Sequence, residues 1–321
     1  MKNFDKLYTP GKMTLGIEFP LDNDWSLEGD KKRKEDGRPF GVPDISKHLE
    51  YVKQIDKAGF AAVWIREVPV YDPNFGDGAQ LFDTLSYLGY LSAATKNVLL
   101  GTAAIVSPLH QPIKLAKATA TIEHLSDSRL ILGLGLGDRP VEFPMYGIDY
   151  QERPKLFRDH LKIMQEAWKT NSDLSTIYPF LNKGVAVYPK PKHQIPLVVA
   201  GHSGQSLEWI AKNANGWFNY PRTPEETYLN RKRWCEALYD TDQACKPYIS
   251  AFHLNLLQDD NATFKPHRFG GAIGINHLTE LLKAYEEAGV NHMALHLRKS
   301  DTPLDEAINK ISDIVLPNFN I

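Results

Sequence analysis

Cysteine is nearly absent. Cys235 and Cys245 are the only two in 321 residues. They are spaced too widely for a metal knuckle or a redox pair, so a reducing, cytoplasmic compartment is the expectation. Long apolar runs are missing too, and none approaches the length that spans a bilayer. The opening MKNFDKLYTPGK carries lysines and a proline but no apolar stretch of the secretory kind. Charge of one sign is also lacking: a formal net charge of −2 provides no positive field for nucleic acid. The densest charge run, Gly29 to Arg38, mixes both signs. A solvated loop is expected there, with a mobile lid as the alternative. What is present is core material, 42% apolar against 24% charged, and that balance fits a folded globular chain.

Strand-like runs recur, each followed by a helix-like segment. Met13–Phe19, Ala61–Arg66, Val98–Val106, Arg129–Gly135, Pro196–Ala200, Gly216–Asn219, Tyr248–Leu256 and His292–Arg298 read as strands. Helices are expected over Pro43–Lys57, Leu81–Ala94, Pro112–Leu125, Pro154–Trp168, Gln205–Asn213, Pro224–Leu238, Leu278–Ala288 and Leu304–Val315. A further short strand is expected at Val185–Tyr188, inside the irregular stretch Thr170–Gln194. Alternating β and α units imply a parallel sheet with right-handed crossovers. Eight such units predict an α/β fold, a (β/α)8 TIM barrel with insertions after strands 1 and 4, built as one domain over residues 1–321. An open doubly wound sheet is the alternative.

In a barrel, chemistry sits at the C-terminal strand ends and in the loops that follow them. That places Glu18, Arg66, Glu67, Ser107–His110, Gly137–Arg139, Gly201–Ser206, Asn219–Arg222, Asn255 and His296–Arg298 among the candidates. The longest such loops are Leu21–Val42 and Asp138–Arg153, and loops of that length are usually functional or disordered. Leu130–Gly137 reads LILGLGLG, with Gly133, Gly135 and Gly137 on one face where a strand normally carries bulk. A strand lacking side chains there leaves room for a planar ligand. Gly101-Thr102-Ala103-Ala104 adds a second small-residue stretch on the neighbouring strand. The glycine spacing is wrong for a dinucleotide fingerprint, and Asp138-Arg139-Pro140 follows it where a helix should begin.

Leu197–Ser206, LVVAGHSGQS, runs from a strand into a helix. Its glycines allow a tight turn whose free N–H groups suit a phosphate, and an ordinary strand-to-helix connection fits the same residues. Gly201-His202-Ser203-Gly204 also approximates a nucleophile elbow, with Gln205 replacing the final glycine. A serine hydrolase using Ser203 therefore stays open as an alternative. His292 and His296 share a strand face without a neighbouring carboxylate. They are expected to be packed or hydrogen-bonded, with no metal bound.

Five segments together resemble the bacterial luciferase-like monooxygenases. These are AGFAAVWIRE (58–67), VLLGTAAIVSPLHQP (98–112), HLSDSRLILGLGLGD (124–138), YQERPKLFRDHLKIMQEAWK (150–169) and LVVAGHSGQSLEWIAKNANGWF (197–218). The resemblance implies a TIM-barrel oxidoreductase that uses reduced FMN and O2 on a small organic substrate. A deazaflavin-dependent hydride-transfer enzyme is its close variant, and a catalytically silent flavin-binding barrel is a further alternative. It places Thr102, Ala103 and Ala104 behind the flavin ring, where the family often holds a non-prolyl cis peptide. Gly135 and Gly137 would line the ring. Gly201, His202, Ser203, Gly204, Gln205 and Ser206 would grip the cofactor phosphate. Arg153 matches a family Glu-Arg pair near that site, although Pro154 stands where an aromatic residue is common. A flavin reductase as partner and a homodimer are implied as well. His110, Arg66 and Arg298 are the catalytic candidates, with Glu67 beside them, by strand-end position. Arg66 with Glu67 as a surface ion pair, and Arg298 with Asp301, are the structural alternatives for these residues.

Overall fold

Runs of β-branched and leucine residues form strands that pair in parallel around a closed ring. The computed structural model describes residues 3–72, 74–75 and 82–319. Its strands are β1 (Thr14–Phe19), β2 (Ala62–Ile65), β3 (Leu99–Thr102), β4 (Ile105–Val106), β5 (Leu130–Gly135), β6 (Leu197–Ala200), β7 (Gly216–Asn219), β8 (Tyr248–Leu256), β9 (Lys265–His267), β10 (Gly270–Ile273) and β11 (His292–His296). The order β1-β2-β3-β5-β6-β7-β8-β11 closes because β11 pairs with both β8 and β1. This is the expected eight-stranded (β/α)8 barrel. β4 extends the line of β3 beyond Ala103–Ala104, whose peptide bond is cis, and pairs with β5. The far half of β8 pairs with β10, and β9 returns antiparallel against β10, an addition outside the eight expected strands.

The helices are α1 (Leu27–Glu35), α2 (His48–Ala58), α3 (Thr84–Ala94), α4 (Pro112–Leu125), α5 (Glu142–Met145), α6 (Arg153–Trp168), α7 (Leu207–Asn213), α8 (Pro224–Asp240), α9 (Ile275–Glu287) and α10 (Leu304–Lys310). Three expectations need correction. The charge run after β1 is not a loop: Ser26 caps α1 by accepting from Gly29 N–H, and Asp30 pairs with Arg33 and Lys34 one turn on. No strand forms at Val185–Tyr188, where the link to Leu174 is one N–H donated to the Val185 carbonyl at 2.9 Å. Pro189 and Pro191, just beyond, have no donor to extend it. α2 starts at His48, five residues after Pro43. The expected start of α3 at Leu81 lies outside the described residues, and Asp83 caps the helix that forms. Both cysteines are free and exposed. Among the described residues no helix is long and apolar enough to cross a membrane.

The barrel interior is packed at its N-terminal end. A single 3₁₀ turn, Phe4–Leu7, buries Phe4 and Leu7 against Trp64, Ile131 and Phe218. Asn3 and Lys6 tie that plug to the carbonyls of Ser128 and Asn97, just before β5 and β3. Trp64 lies over Gly101, where a Cβ would fall 2.3 Å from the indole.

The glycine row of β5 is not one open slot. A Cβ at Gly133 would sit 1.7 Å from the Thr102 carbonyl oxygen, and one at Gly137 would meet Val106 at 2.6 Å and Phe143 at 2.9 Å. Gly135 alone faces a small neighbour, the Ala104 Cβ, at 3.3 Å. The volume vacated at Gly133 is filled by the backbone of the neighbouring strand. Gly133→Ala is therefore expected to destabilise the fold by about 3 kcal/mol, because backbone is struck and cannot rotate away. Chemical denaturation checks this. A loss under about 1 kcal/mol would show that β3 can retreat.

Candidate functional site

The C-terminal rim gathers charged side chains from four strand ends into two groups. In the first, Arg66 donates Nε–H to Glu18 Oε1 at 2.6 Å, joining the ends of β2 and β1. Arg298 donates to both oxygens of Asp22, at 2.8 and 2.7 Å, with both side chains enclosed. Burial pushes the Asp22 carboxyl up while Arg298 pulls it down. Trp25 lies between the two arginines, 5.8 Å from Arg66 and 5.2 Å from Arg298, and its backbone N–H donates to the Arg298 carbonyl. Arg66 thus pairs across strands with Glu18 in place of Glu67. Arg298 pairs with Asp22, leaving Asp301 to Asn255.

His296 stands beneath Trp25. It is fully enclosed, stacked on His253 at 4.3 Å and set against Trp25 at 4.8 Å, with Nε2 4.0 Å from Glu18. Neither ring nitrogen has a hydrogen-bond partner among the described residues. Burial first, then His253 and the surrounding cations, hold its pKa far below the ordinary value, so the ring is neutral. His292, one layer deeper, differs. Trp64 Nε1–H donates to its Nε2 at 2.8 Å, so its Nδ1 carries the proton toward Thr14 Oγ1, also at 2.8 Å. Burial lowers its pKa to about 3.

The second group is separate. Glu67 accepts from Val106 N–H at 2.6 Å with one oxygen and meets His110 Nε2 at 2.8 Å with the other. Burial opposes a charge on His110, but the hydrogen bond and charge of Glu67 outweigh it and raise the pKa. Beside this pair the rim is lined by the half-buried Ala103 and Ala104. Arg153 braces the loop after β5, donating to the carbonyls of Gly137 and Tyr150.

The turn Gly201–Ser206 follows β6 on the same rim. Its backbone is left-handed at Gly201 (φ 58°), Ser203 (47°) and Gly204 (67°). Ser203 Oγ donates to the Ala200 carbonyl at 2.9 Å, while the His202 ring packs edge-on against Trp217. Ser203 meets no imidazole among the described residues, which removes the geometric basis for a nucleophile elbow there. Gln205 reaches the Pro154 carbonyl and accepts from Arg158 at 3.0 Å. Arg158 escaped the sequence reading, as did Asp22, Trp25 and His253. Only the last three lie near a strand end or in the long first loop that pointed to function.

The His110–Glu67 pair has a pH consequence. A raised folded-state pKa stabilises fully below the ordinary value of about 6.5, and that contribution is lost as pH rises through the folded value. Glu67→Gln keeps an acceptor for Val106 N–H but removes the charge, so burial should then dominate. His110 is expected to titrate at least about one unit lower in the variant, followed by NMR of its ring protons. An unchanged titration would show that Glu67 does not govern it.

A family model described as luciferase-like monooxygenase matches residues 22–262. An uncharacterized protein of Mycobacterium tuberculosis is 35% identical over 138 residues, 42% of this chain and 49% of that protein, so the chain spans about half the length of such first curated relatives. An F420-dependent glucose-6-phosphate dehydrogenase of Amycolatopsis mediterranei is 24% identical over 89% of this chain and 97% of its own. Among solved structures, an F420-dependent secondary alcohol dehydrogenase with an F420-acetone adduct superposes with a TM-score of 0.73, at 17% identity over 97% of this chain and 100% of that one. The oxygenating constituent of a Pseudomonas putida 3,6-diketocamphane monooxygenase, in complex with FMN, gives 0.66 at 16% identity over 95% and 98%. Those structural likenesses establish the shared barrel. Matched over most of its length, and carrying the small-residue bulge on β3 in that barrel, the chain belongs to the luciferase-like monooxygenase family.

Proposed function

We propose that this chain is a flavin-dependent oxidoreductase, an FMNH2-dependent monooxygenase that oxidises a small organic substrate with O2. The observation that carries the reading is the rim between β3, β4 and β5. Ala103 and Ala104 are half-buried and carry only methyl groups, and Gly135 beside them has none. A flat, water-excluding wall of this kind fits an isoalloxazine ring. The turn Gly201–Ser206 lies on the same rim, with open space within 4 Å of where a Gly201 Cβ would be. Thr102, Ala103, Ala104, Gly135 and Gly137 would back the ring, and Gly201 to Ser206, with Arg158 nearby, would hold the phosphate. Reduced FMN supplies two electrons to oxygen when bound. The chain's own part is to exclude water, fix the ring and keep a proton near the reacting atoms on His110 Nε2, held by Glu67.

A deazaflavin-dependent hydride transfer is the second reading, favoured by the F420-dependent relative that matches along nearly its whole length. In the first reading a flavin reductase supplies reduced FMN, and the working form is a cytoplasmic homodimer of the whole chain, one barrel unit per copy.

Titration with FMN, reduced FMN and a deazaflavin, followed by tryptophan fluorescence and absorbance, tests this. One of the three is expected to bind saturably. Ala104→Leu should weaken it by at least about tenfold, because the added side chain projects into the ring's wall. Ser203→Ala should weaken it only slightly, with no esterase turnover in either protein. Absence of binding by all three, or esterase activity abolished by Ser203→Ala, would overturn the assignment.

A further inference from the structure

A cavity of about 290 Å³ opens beside the His110–Glu67 pair, at the ends of β2 and β4. Val68, Phe82 and the Tyr146 ring give it an apolar wall, while Glu67, Asp83 and His110 supply its charges. Those charges do not balance. His110 is tied to Glu67 at 2.8 Å, and no lysine or arginine stands among the described lining residues, so the charge of Asp83 is not matched within them. Asp83, on the exposed side of the lining, uses one carboxylate oxygen to cap α3, accepting from Ser86 N–H at 2.9 Å. Its other oxygen has no partner among the described residues. After burial, the charges of Glu67, Glu142 and Asp83 all push the Tyr146 phenol upward. The cavity therefore lies in negative potential, and a half-enclosed cleft with low-dielectric walls concentrates such a field.

We propose that this cavity binds the ammonium or amidinium group of a small substrate, with the cation against Asp83 and Glu67 and an apolar body against Val68, Phe82 and Tyr146. An anion placed there would meet two carboxylates against the one imidazole of His110, which Glu67 already engages, and would lose hydration against a net repulsion. A neutral alcohol would keep its hydrogen bonds but gain no Coulombic attraction. Naming the ligand a substrate rests on the oxidoreductase reading above; the preference for a cation rests on the cavity itself.

Isothermal titration of the full chain with benzylamine, benzyl alcohol and benzoate at neutral pH tests the preference. Benzylamine is expected to bind about tenfold more tightly than the other two, with the margin shrinking at high salt. Asp83→Asn keeps a good helix cap and removes the charge, so it should bring benzylamine close to benzyl alcohol without changing thermal stability. Val68→Phe, which fills the cavity from a half-buried position, should exclude all three probes. Equal binding of the three, a preference for benzoate, no benzylamine binding, or unchanged benzylamine affinity in Asp83→Asn would each overturn the proposal. The flavin titration separates the two assignments. Flavin binding without an amine preference sinks the cavity assignment alone. An amine preference without flavin binding upholds the cavity and sinks the redox reading.

Discussion

The approach of β3 onto β5 at Gly133 sets the geometry of the rim. The Thr102 carbonyl occupies the space of the missing Cβ, and the Thr102 hydroxyl accepts from Gly133 N–H at 2.8 Å while donating to the Gly133 carbonyl at 2.7 Å. The regular ladder stops at Gly101 opposite Ile131 and resumes at Ile105 opposite Leu134, so four steps on one strand answer three on the other. That is a bulge of one residue, the device by which strands re-aim side chains near sites. It brings Ala103 and Ala104 to the rim and turns Val106 N–H toward Glu67, which in turn holds His110. A side chain withheld at Gly133 thus fixes where an imidazole stands on the next loop.

The opposite side of the rim depends on ion pairs. Asp22–Arg298 is enclosed, and Glu18–Arg66 nearly so. Pairs of this kind stabilise little relative to apolar packing, yet removing one partner costs about 3–5 kcal/mol because a buried charge is stranded. Their value here lies in register. Arg298 joins the end of β11 to the loop after β1, and the same residue's carbonyl holds the Trp25 backbone. The insertion is therefore anchored at its root, and α1, capped and internally paired, folds on a fixed stem. Both arginines that strand-end position marks as catalytic candidates flank Trp25, and Arg298 also holds the loop after β1.

Sequence patterning carries the barrel well because the barrel strands are short segments rich in apolar residues and most helices keep a core-facing stripe. It fails where neither period operates. α1 has almost no apolar face, and its helix rests on a serine cap and on Asp30 with Arg33 and Lys34, signals that a search for hydrophobic stripes passes over. β9 and β10 hold exposed residues and a glycine pair, which lack strand patterning. At the rim, position along a strand located Arg66, Glu67, His110 and Arg298, but partners are a property of three-dimensional neighbours. Arg66 and Glu67 are adjacent in the chain and end in different pairs, since consecutive side chains leave a strand on opposite sides. Along the chain the glycine row looks like a ligand slot, because chain order does not reveal that a neighbouring backbone leans into it at Gly133.

The two histidines of β11 show how far one strand face can change in four residues. His292 and His296 share a strand face, two pleats apart, in different walls: Trp64 and Thr14 stand by the first, and His253, Trp25 and Glu18 by the second. At His292 the acceptor and donor capacities of the ring are matched by Trp64 and Thr14, and the ring is as settled as any aliphatic core group. At His296 the same ring is equally buried, yet both nitrogens lack a hydrogen bond among the described residues and the nearest carboxylate oxygen is 4.0 Å away, already held by Arg66. A buried polar atom without a partner opposes folding by about 1–3 kcal/mol, so the two rings contribute differently to the stability of one strand. Within the barrel the change therefore falls at Ala294: on one side Trp64 and Thr14 match both nitrogens of His292, and on the other Glu18, Arg66, Trp25 and His253 surround His296 without a hydrogen bond to either of its nitrogens among the described residues.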